Sequence, residues 1–405
     1  MKFNFADSLA ISKSWMNRAL ILQSYCSGLK ILGQSESDDV FYLKQALDNF
    51  LNNQNEFYVG LGGTTFRFLA LRVSRKSGLY RIKADKKLFE RPQNEIINIL
   101  SQVGVQSEFN ADRTEFIIHS QGWVSQKEQL VLHVDSKDSS QFLSSVLLNS
   151  IDLPFDLVIQ TDDQITSIDY LKYTVSLMKT CGVSIQSPKD GYYKVFKKSL
   201  IRSQELIGEV DVSSFFSLAC AAVLAGHACL KNWNAYTLQP DKAFLKIFNT
   251  MGIQYKIEGS QFEIKKHDVF YSARVNLENC PDLFPSLAVV CAFATGESEL
   301  YGARQLVHKE SNRIEKTYEL LSACEIKCEM RTDGIKIWGD PDYLYKKKNL
   351  ILFNPEHDHR MAFAAALLIL KGFPIQIEQP EVITKSYPQF YQHIGLNIPI
   401  EKKST

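Results

Sequence analysis

The sequence predicts an α/β protein of two domains, an inside-out barrel arrangement in which helices are buried and sheets lie outside them. Three observations predict it. A pattern of small polar residues, an apolar helix and, usually, a closing glycine recurs six times along the 405 residues. The last three copies are almost wholly apolar, which marks helices with no solvent face. Between the copies lie short alternating stretches with the two-residue period of strands.

The six copies run in order. They are SKSWMNRALILQSYCSG from Ser12, GTTFRFLALRVSRKSG from Gly63, SSQFLSSVLLNS from Ser139, SSFFSLACAAVLAG from Ser213, DLFPSLAVVCAFATG from Asp282 and DHRMAFAAALLILKG from Asp358. Each begins with Ser, Gly or Asp, the residue types that cap helix N-termini. A second, amphipathic helix leading into a strand follows several of them, as in NEIINILSQVGVQSEF and AFLKIFNTMGIQYKIEG. Stretches such as RTEFIIHS, LVLHVD, DLVIQTD, SQFEIKK and GIKIWG read as strands. The repeating unit is β-α-β-α-β-β, and six units divide into three per domain.

Composition narrows the function classes. Hydrophobic residues make up 45% and charged residues 22% of the chain, as in ordinary globular proteins. Its net charge of +1, from 46 basic and 45 acidic residues, provides no overall field to attract nucleic acid or an anionic membrane. Any anion site must therefore be local. The eight cysteines are scattered through apolar runs, which suits reduced thiols, and the Cys324/Cys328 pair lacks the histidines of a zinc site. No stretch reaches the ~20 apolar residues of a membrane span, and the start of the chain has no apolar signal core. The expectation is a cytoplasmic protein that acts as a monomer.

Local anion sites are what the repeats supply. Free N–H groups and partial positive charge at helix N-termini bind anions. Isolated cations accompany them: Lys13 and Arg18 in the first copy, Arg67 in the second, Arg313 after the fifth and Arg360 in the sixth. A cation in an apolar setting requires an anionic partner, from the protein or from a ligand. In HKESNRIEK, Lys309 and Arg313 are four apart, so a helix would stack them on one face beside Glu310.

Seven separated motifs in one order carry a resemblance to the 5-enolpyruvylshikimate-3-phosphate synthase family of enolpyruvyl transferases. They are SKSxxNR (12–18), GGTTxR (62–67), ERP (90–92), SSQFL (139–143), PDLFP (281–285), KESNR (309–313) and DHRMA (358–362). The resemblance implies two domains of three repeats each, with residues 1–11 and 210–405 forming one, residues 12–209 forming the other, and the active site in the cleft between them. It implies transfer of the enolpyruvyl group of phosphoenolpyruvate to the 5-hydroxyl of shikimate 3-phosphate, with no metal or organic cofactor. The partners are then small molecules, not nucleic acid or membrane. Carried over position by position, it implies that Lys13, Ser14, Arg18, Ser139, Ser140, Gln141, Ser167, Asp282, Gln305 and Lys309 hold shikimate 3-phosphate. Lys13, Gly63, Arg91, Gln141, Arg313, Arg360 and Lys385 would hold phosphoenolpyruvate. Lys13, Asp282 and Glu310 would carry the proton transfers, and a carboxylate among so many cations should have a lowered pKa. Two other readings share the pattern: a non-catalytic anion-binding relative, and the UDP-N-acetylglucosamine enolpyruvyl transferase. The chain departs from the family pattern at Leu61, at Trp15 and Met16, at Ile168 and Asp169, at Asn312, and in the short segment before Ser12.

Overall fold

A computed structural model describes residues 3–161, 165–345 and 349–400. The chain divides into two compact units, one of Met1–Ser12 with Glu209–Thr405 and the other of Lys13–Gly208. Ser12 and Glu209 fall on the opposite side of the division from the one the sequence reading gives them. The cause is local pairing: the Ser12 N–H donates to the Glu209 carbonyl at 2.8 Å, the Asp211 N–H donates to Ala10 at 3.1 Å, and Ile11 bridges Val210.

In the discontinuous unit, the helices Val212–Ala225, Phe284–Ala292 and His359–Leu370 pack on one another. Their side chains are buried nearly all round, which their apolar sequence requires, and together they form the centre of one hydrophobic core. The sheets lie against them. Phe3–Asp7, Gly226–Leu230, Gln261–Lys265 and Tyr255–Glu258 form one four-stranded sheet in that spatial order. Arg274–Asn276, Gly296–Tyr301, Gly334–Gly339 and Cys328–Arg331 form the second, with the same sequence of one parallel and two antiparallel pairings. The third has only two parallel strands, Ile351–Phe353 and Ile375–Ile377.

The continuous unit repeats this plan. Its central helices are Lys13–Gln23, Gly63–Val73 and Gln141–Leu148, again packed pairwise. Glu56–Tyr58, Ser77–Lys83, Glu115–Gln121 and Gln106–Phe109 make one four-stranded sheet, and Gln129–His133, Asp156–Gln160, Tyr192–Val195 and Ile185–Lys189 make the other. Lys30–Leu32 pairs in parallel with Glu205–Ile207. Trp15 and Met16, two of the departures from the family pattern, are core residues of the first helix.

Two expectations need correction. The six units are not uniform: four carry a full four-stranded sheet and, among the described residues, two carry only a parallel pair. In the first unit the strand after the second helix, Glu56–Tyr58, joins the next sheet; in the sixth, a 3-10 turn and a short helix follow Ile375–Ile377 instead of a hairpin. The helix caps also differ from the sequence reading. Ser213 lies inside its helix, and Asp211 provides the cap by accepting from the Ser214 N–H at 3.0 Å. Asp282 sits in a 3-10 turn, Pro281–Leu283, ahead of Phe284–Ala292. Asp358 is a side-chain cap as expected, accepting from the Arg360 N–H at 2.9 Å.

The segment before Ser12 forms a strand. Phe3–Asp7 pairs in register with Gly226–Leu230 along its whole length. This pairing depends on Gly226, where an added Cβ would lie 1.8 Å from the Phe3 carbonyl oxygen. Backbone cannot yield as a flexible side chain can, so Gly226→Ala should destabilise the protein by about 1–3 kcal/mol, as overpacking does. Equilibrium denaturation checks this, and an unchanged midpoint would remove the steric argument.

Candidate functional site

In the discontinuous unit the chemistry gathers around one guanidinium. Arg313 opens the helix Arg313–Ala323 and is 1% exposed. Its Nε donates to Asp358 Oδ2 at 2.7 Å, its Nη1 to Asp282 Oδ1 at 2.7 Å, and its Nη2 to Glu310 Oε2 at 3.2 Å. Burial opposes the charge on Arg313, but these three carboxylates outweigh it and raise its pKa. Further cations stand close by. Lys309 Nζ is 3.9 Å from Asp282, Arg360 Nη2 is 3.5 Å from Asp282, and Lys385 Nζ is 3.7 Å from Glu310. Burial pushes the Asp282 pKa up, yet Arg313, Lys309 and Arg360 together hold it well below the usual carboxylate range. Arg360 also donates from Nη1 to the Ser213 carbonyl at 3.2 Å, while its buried Nε meets no acceptor among the described residues.

The structure thus brings Asp282, Lys309, Glu310, Arg313, Arg360 and Lys385 together. Gln305 lies in the turn Arg304–His308, where its Nε2 donates to the Glu278 carbonyl at 2.8 Å. Lys309 and Glu310 precede the helix, so the stacking with Arg313 that the spacing suggested is not how they meet it. Asn312 is the N-cap, accepting from the Glu315 N–H at 3.4 Å. Asn and Asp cap equally well, so this departure from the family pattern costs the helix nothing.

The continuous unit holds the other expected residues. Lys13 pairs with the buried Asp39 at 3.0 Å. Arg18 lies buried against neutral partners: its Nε donates to the Thr174 hydroxyl at 2.7 Å, its Nη1 to the Ser14 hydroxyl and carbonyl at 2.7 Å each, and its Nη2 to the Tyr170 carbonyl at 3.4 Å. No carboxylate of the described residues pairs with it, and burial pushes its pKa down to about 10. A guanidinium in that setting has an unmet demand for an anion. Gly63 lets Arg91 approach, because an added Cβ there would meet the Arg91 Nη1 at 3.0 Å. Arg67 donates to Ser139 Oγ at 3.2 Å, Gln141 Oε1 at 2.9 Å, Gln93 Oε1 at 3.0 Å and the Pro92 carbonyl at 3.0 Å, and its guanidinium lies over the Phe142 ring. It therefore orders two expected binding residues and the segment after Arg91. Ser140 caps Gln141–Leu148 without a side-chain bond. Ser167 caps Ile168–Thr180 in a left-handed conformation, φ 57°, which is costly outside glycine and clusters at functional positions.

Each unit is thus an α/β body with polar and charged groups gathered at one end of buried helices, an arrangement suited to binding anions. The fold is that of solved enolpyruvyl transferases: it matches the EPSP synthase of Acinetobacter baumannii with a TM-score of 0.73 at 19% identity, covering 97% of this chain and 95% of that one. It likewise matches the enolpyruvyl transferase NikO of Streptomyces tendae with a TM-score of 0.74 at 12% identity, covering 97% and 94%. By sequence the chain belongs to the EPSP synthase (3-phosphoshikimate 1-carboxyvinyltransferase) family, whose profile matches residues 21–394. Relatives named 3-phosphoshikimate 1-carboxyvinyltransferase include those of Nostoc punctiforme, 26% identical over 94% of this chain and 93% of the relative, and Pyrococcus furiosus, 28% identical over 96% and 92%. That of Methanocorpusculum labreanum is 30% identical over 81% of this chain and 75% of the relative. Among the described residues no helix is long and apolar enough to cross a membrane.

Sequence reasoning found Asp282 and Glu310 but assigned no site role to three further acids near these cations, Asp39, Asp358 and Asp241. Asp39 reads as one of two acids in the first turn of a helix, and Asp358 as a cap. Asp241 carried no signal except its place after Pro240. It is buried, and its carboxyl is pushed up to about 7, by burial first and by the charge on Asp282 second, with Arg360 opposing. An unfolded aspartate releases its proton near about 3.9, so this group's contribution to stability is full below that pH and is lost as the pH rises through about 7. Asp241→Asn should therefore gain stability relative to the parent as the pH rises, by about 4 kcal/mol between pH 4 and 8. Urea titrations across that range test it; a difference that stays flat would exclude a buried, proton-holding Asp241.

Proposed function

We propose that this chain transfers the enolpyruvyl group of phosphoenolpyruvate to the 5-hydroxyl of shikimate 3-phosphate and releases phosphate through a tetrahedral intermediate, as a 3-phosphoshikimate 1-carboxyvinyltransferase of the shikimate pathway. The observation that carries the proposal is the gathering of Asp282 and Glu310 onto Arg313, with Lys309, Arg360 and Lys385 around them. The reaction needs cations for two carboxylates and two phosphates, and carboxylates that can move protons at a hydroxyl and at a carbon. This cluster offers both.

In this reading Arg313 and Arg360 take the carboxylate of phosphoenolpyruvate, and Lys13, Arg91 and Lys385 its phosphate, with Gly63 and Gln141 adjoining. Ser14, Arg18, Ser139, Ser140, Gln141, Ser167, Gln305 and Lys309 take shikimate 3-phosphate. Asp282 accepts the hydrogen bond of the 5-hydroxyl and then its proton as the oxygen attacks C2 of phosphoenolpyruvate. Its low pKa makes it a weak base, so the transfer is timed with C–O bond formation, when the hydroxyl proton becomes acidic. Glu310 exchanges the proton at the methylene carbon, and Lys13 protonates the departing phosphate.

Phosphate release from phosphoenolpyruvate should require shikimate 3-phosphate and should not occur with UDP-N-acetylglucosamine or with neither acceptor. Asp282→Ala and Lys13→Ala should each lower kcat by about 100-fold or more. Near-normal turnover in either variant would remove that residue's role, and no release with shikimate 3-phosphate would overturn the activity.

A further inference from the structure

One carboxylate links the two arginines that the proposed function assigns to phosphoenolpyruvate. Asp358 is 0% exposed. Its Oδ2 accepts from Arg313 Nε at 2.7 Å and from the Ser311 hydroxyl at 3.2 Å. Its Oδ1 accepts from the Arg360 backbone N–H at 2.9 Å and from Arg313 Nη2 at 3.3 Å. The Arg313 guanidinium is therefore gripped through Nε and Nη2 together, which fixes its plane. The same group sets the first turn of His359–Leu370, from which the Arg360 side chain departs.

Neither ordinary role explains this arrangement. Capping alone would be met by Asn, Ser or Thr, which need no ion pair. Neutralising Arg313 alone would be met by Asp282 and Glu310, which already reach its two terminal nitrogens. What those two acids do not supply is a connection to Arg360 through its own helix turn. The helices Arg313–Ala323 and His359–Leu370 pack together, and Asp358 joins their N-terminal ends. Two arginines that address one small carboxylate must keep their spacing to a fraction of an ångström, and a shared buried anchor does this.

We propose that Asp358 is a positioning residue for carboxylate recognition, holding Arg313 and Arg360 at the spacing that lets both engage the carboxylate of phosphoenolpyruvate. The proposal rests on the assignment of those two arginines to that carboxylate. Asp358 itself touches neither substrate.

Asp358→Asn tests it on the full chain. The amide keeps the acceptor for the Arg360 N–H but places a donor against Arg313. KM for phosphoenolpyruvate should rise about 10-fold or more, while KM for shikimate 3-phosphate and kcat at saturation change by less than about 3-fold. A merely structural role would lower kcat or the folded fraction and leave both KM values alone; that result, or an equal rise in both, overturns the proposal. Arg313→Lys and Arg360→Lys, measured alongside, separate the two claims. If they leave KM for phosphoenolpyruvate unchanged, the arginine assignment fails and takes the proposal with it. If they raise it and Asp358→Asn does not, only the positioning role fails. Should Asp358→Asn not fold, Ser311→Ala removes one donor from the carboxylate and keeps the ion pairs. It should raise KM for phosphoenolpyruvate alone by about 3-fold, and no change would overturn the proposal.

Discussion

The constraint on which the rest of this structure depends is the burial of three helices side by side in each unit. A helix enclosed on every side has no face for polar side chains, so its length must be apolar and its polar groups are confined to its ends. Val212–Ala225, Phe284–Ala292 and His359–Leu370 obey this almost without exception. The expected site residues accordingly lie in first turns or just before them: Lys13 and Ser14, Gly63, Ser140 and Gln141, Asp282, Arg360. Core and chemistry are thus one problem, because the unsatisfied N–H groups of an enclosed helix need partners at the very place where an anion would dock.

The two units meet their charges differently. In the discontinuous unit, cations and carboxylates form one connected network through Arg313 and Asp282, so the cations do not simply repel one another while awaiting ligand charge. In the continuous unit, Lys13 has Asp39, whereas Arg18 is held by hydroxyls and carbonyls. The first arrangement fixes its charged groups against one another. In the second, no carboxylate of the described residues pairs with Arg18.

Much of this was legible in the sequence because it followed from periodicity and residue type. The six buried helices, the strands at Glu115–Gln121, Asp156–Gln160, Gln261–Lys265 and Gly334–Gly339, and the isolated cations all announced themselves locally. The family followed from motifs in a fixed order, and the profile match agrees with it. What stayed hidden depends on distant pairings. That Ser213 lies within a helix capped by Asp211, that Asp39 sits under Lys13, and that Asp241 is buried beside Asp282 are facts of tertiary packing with no local signature. The missing hairpins of the first and sixth units were equally invisible, since a strand's sheet partner is not written in its own residues.

The parallel pairing of Phe3–Asp7 with Gly226–Leu230 also bears on how the chain is made. Leu9 and Asn232 exchange two hydrogen bonds although they are 223 positions apart. During synthesis the first strand must wait while the whole continuous unit emerges, and that unit has all its own sheet partners within Lys13–Gly208. The inserted unit is then the earlier to close, and Phe3–Asp7 is among the last strands to find its place. Until then it is an unpaired strand carrying Phe3 and Phe5, and the order of translation leaves it open to premature association.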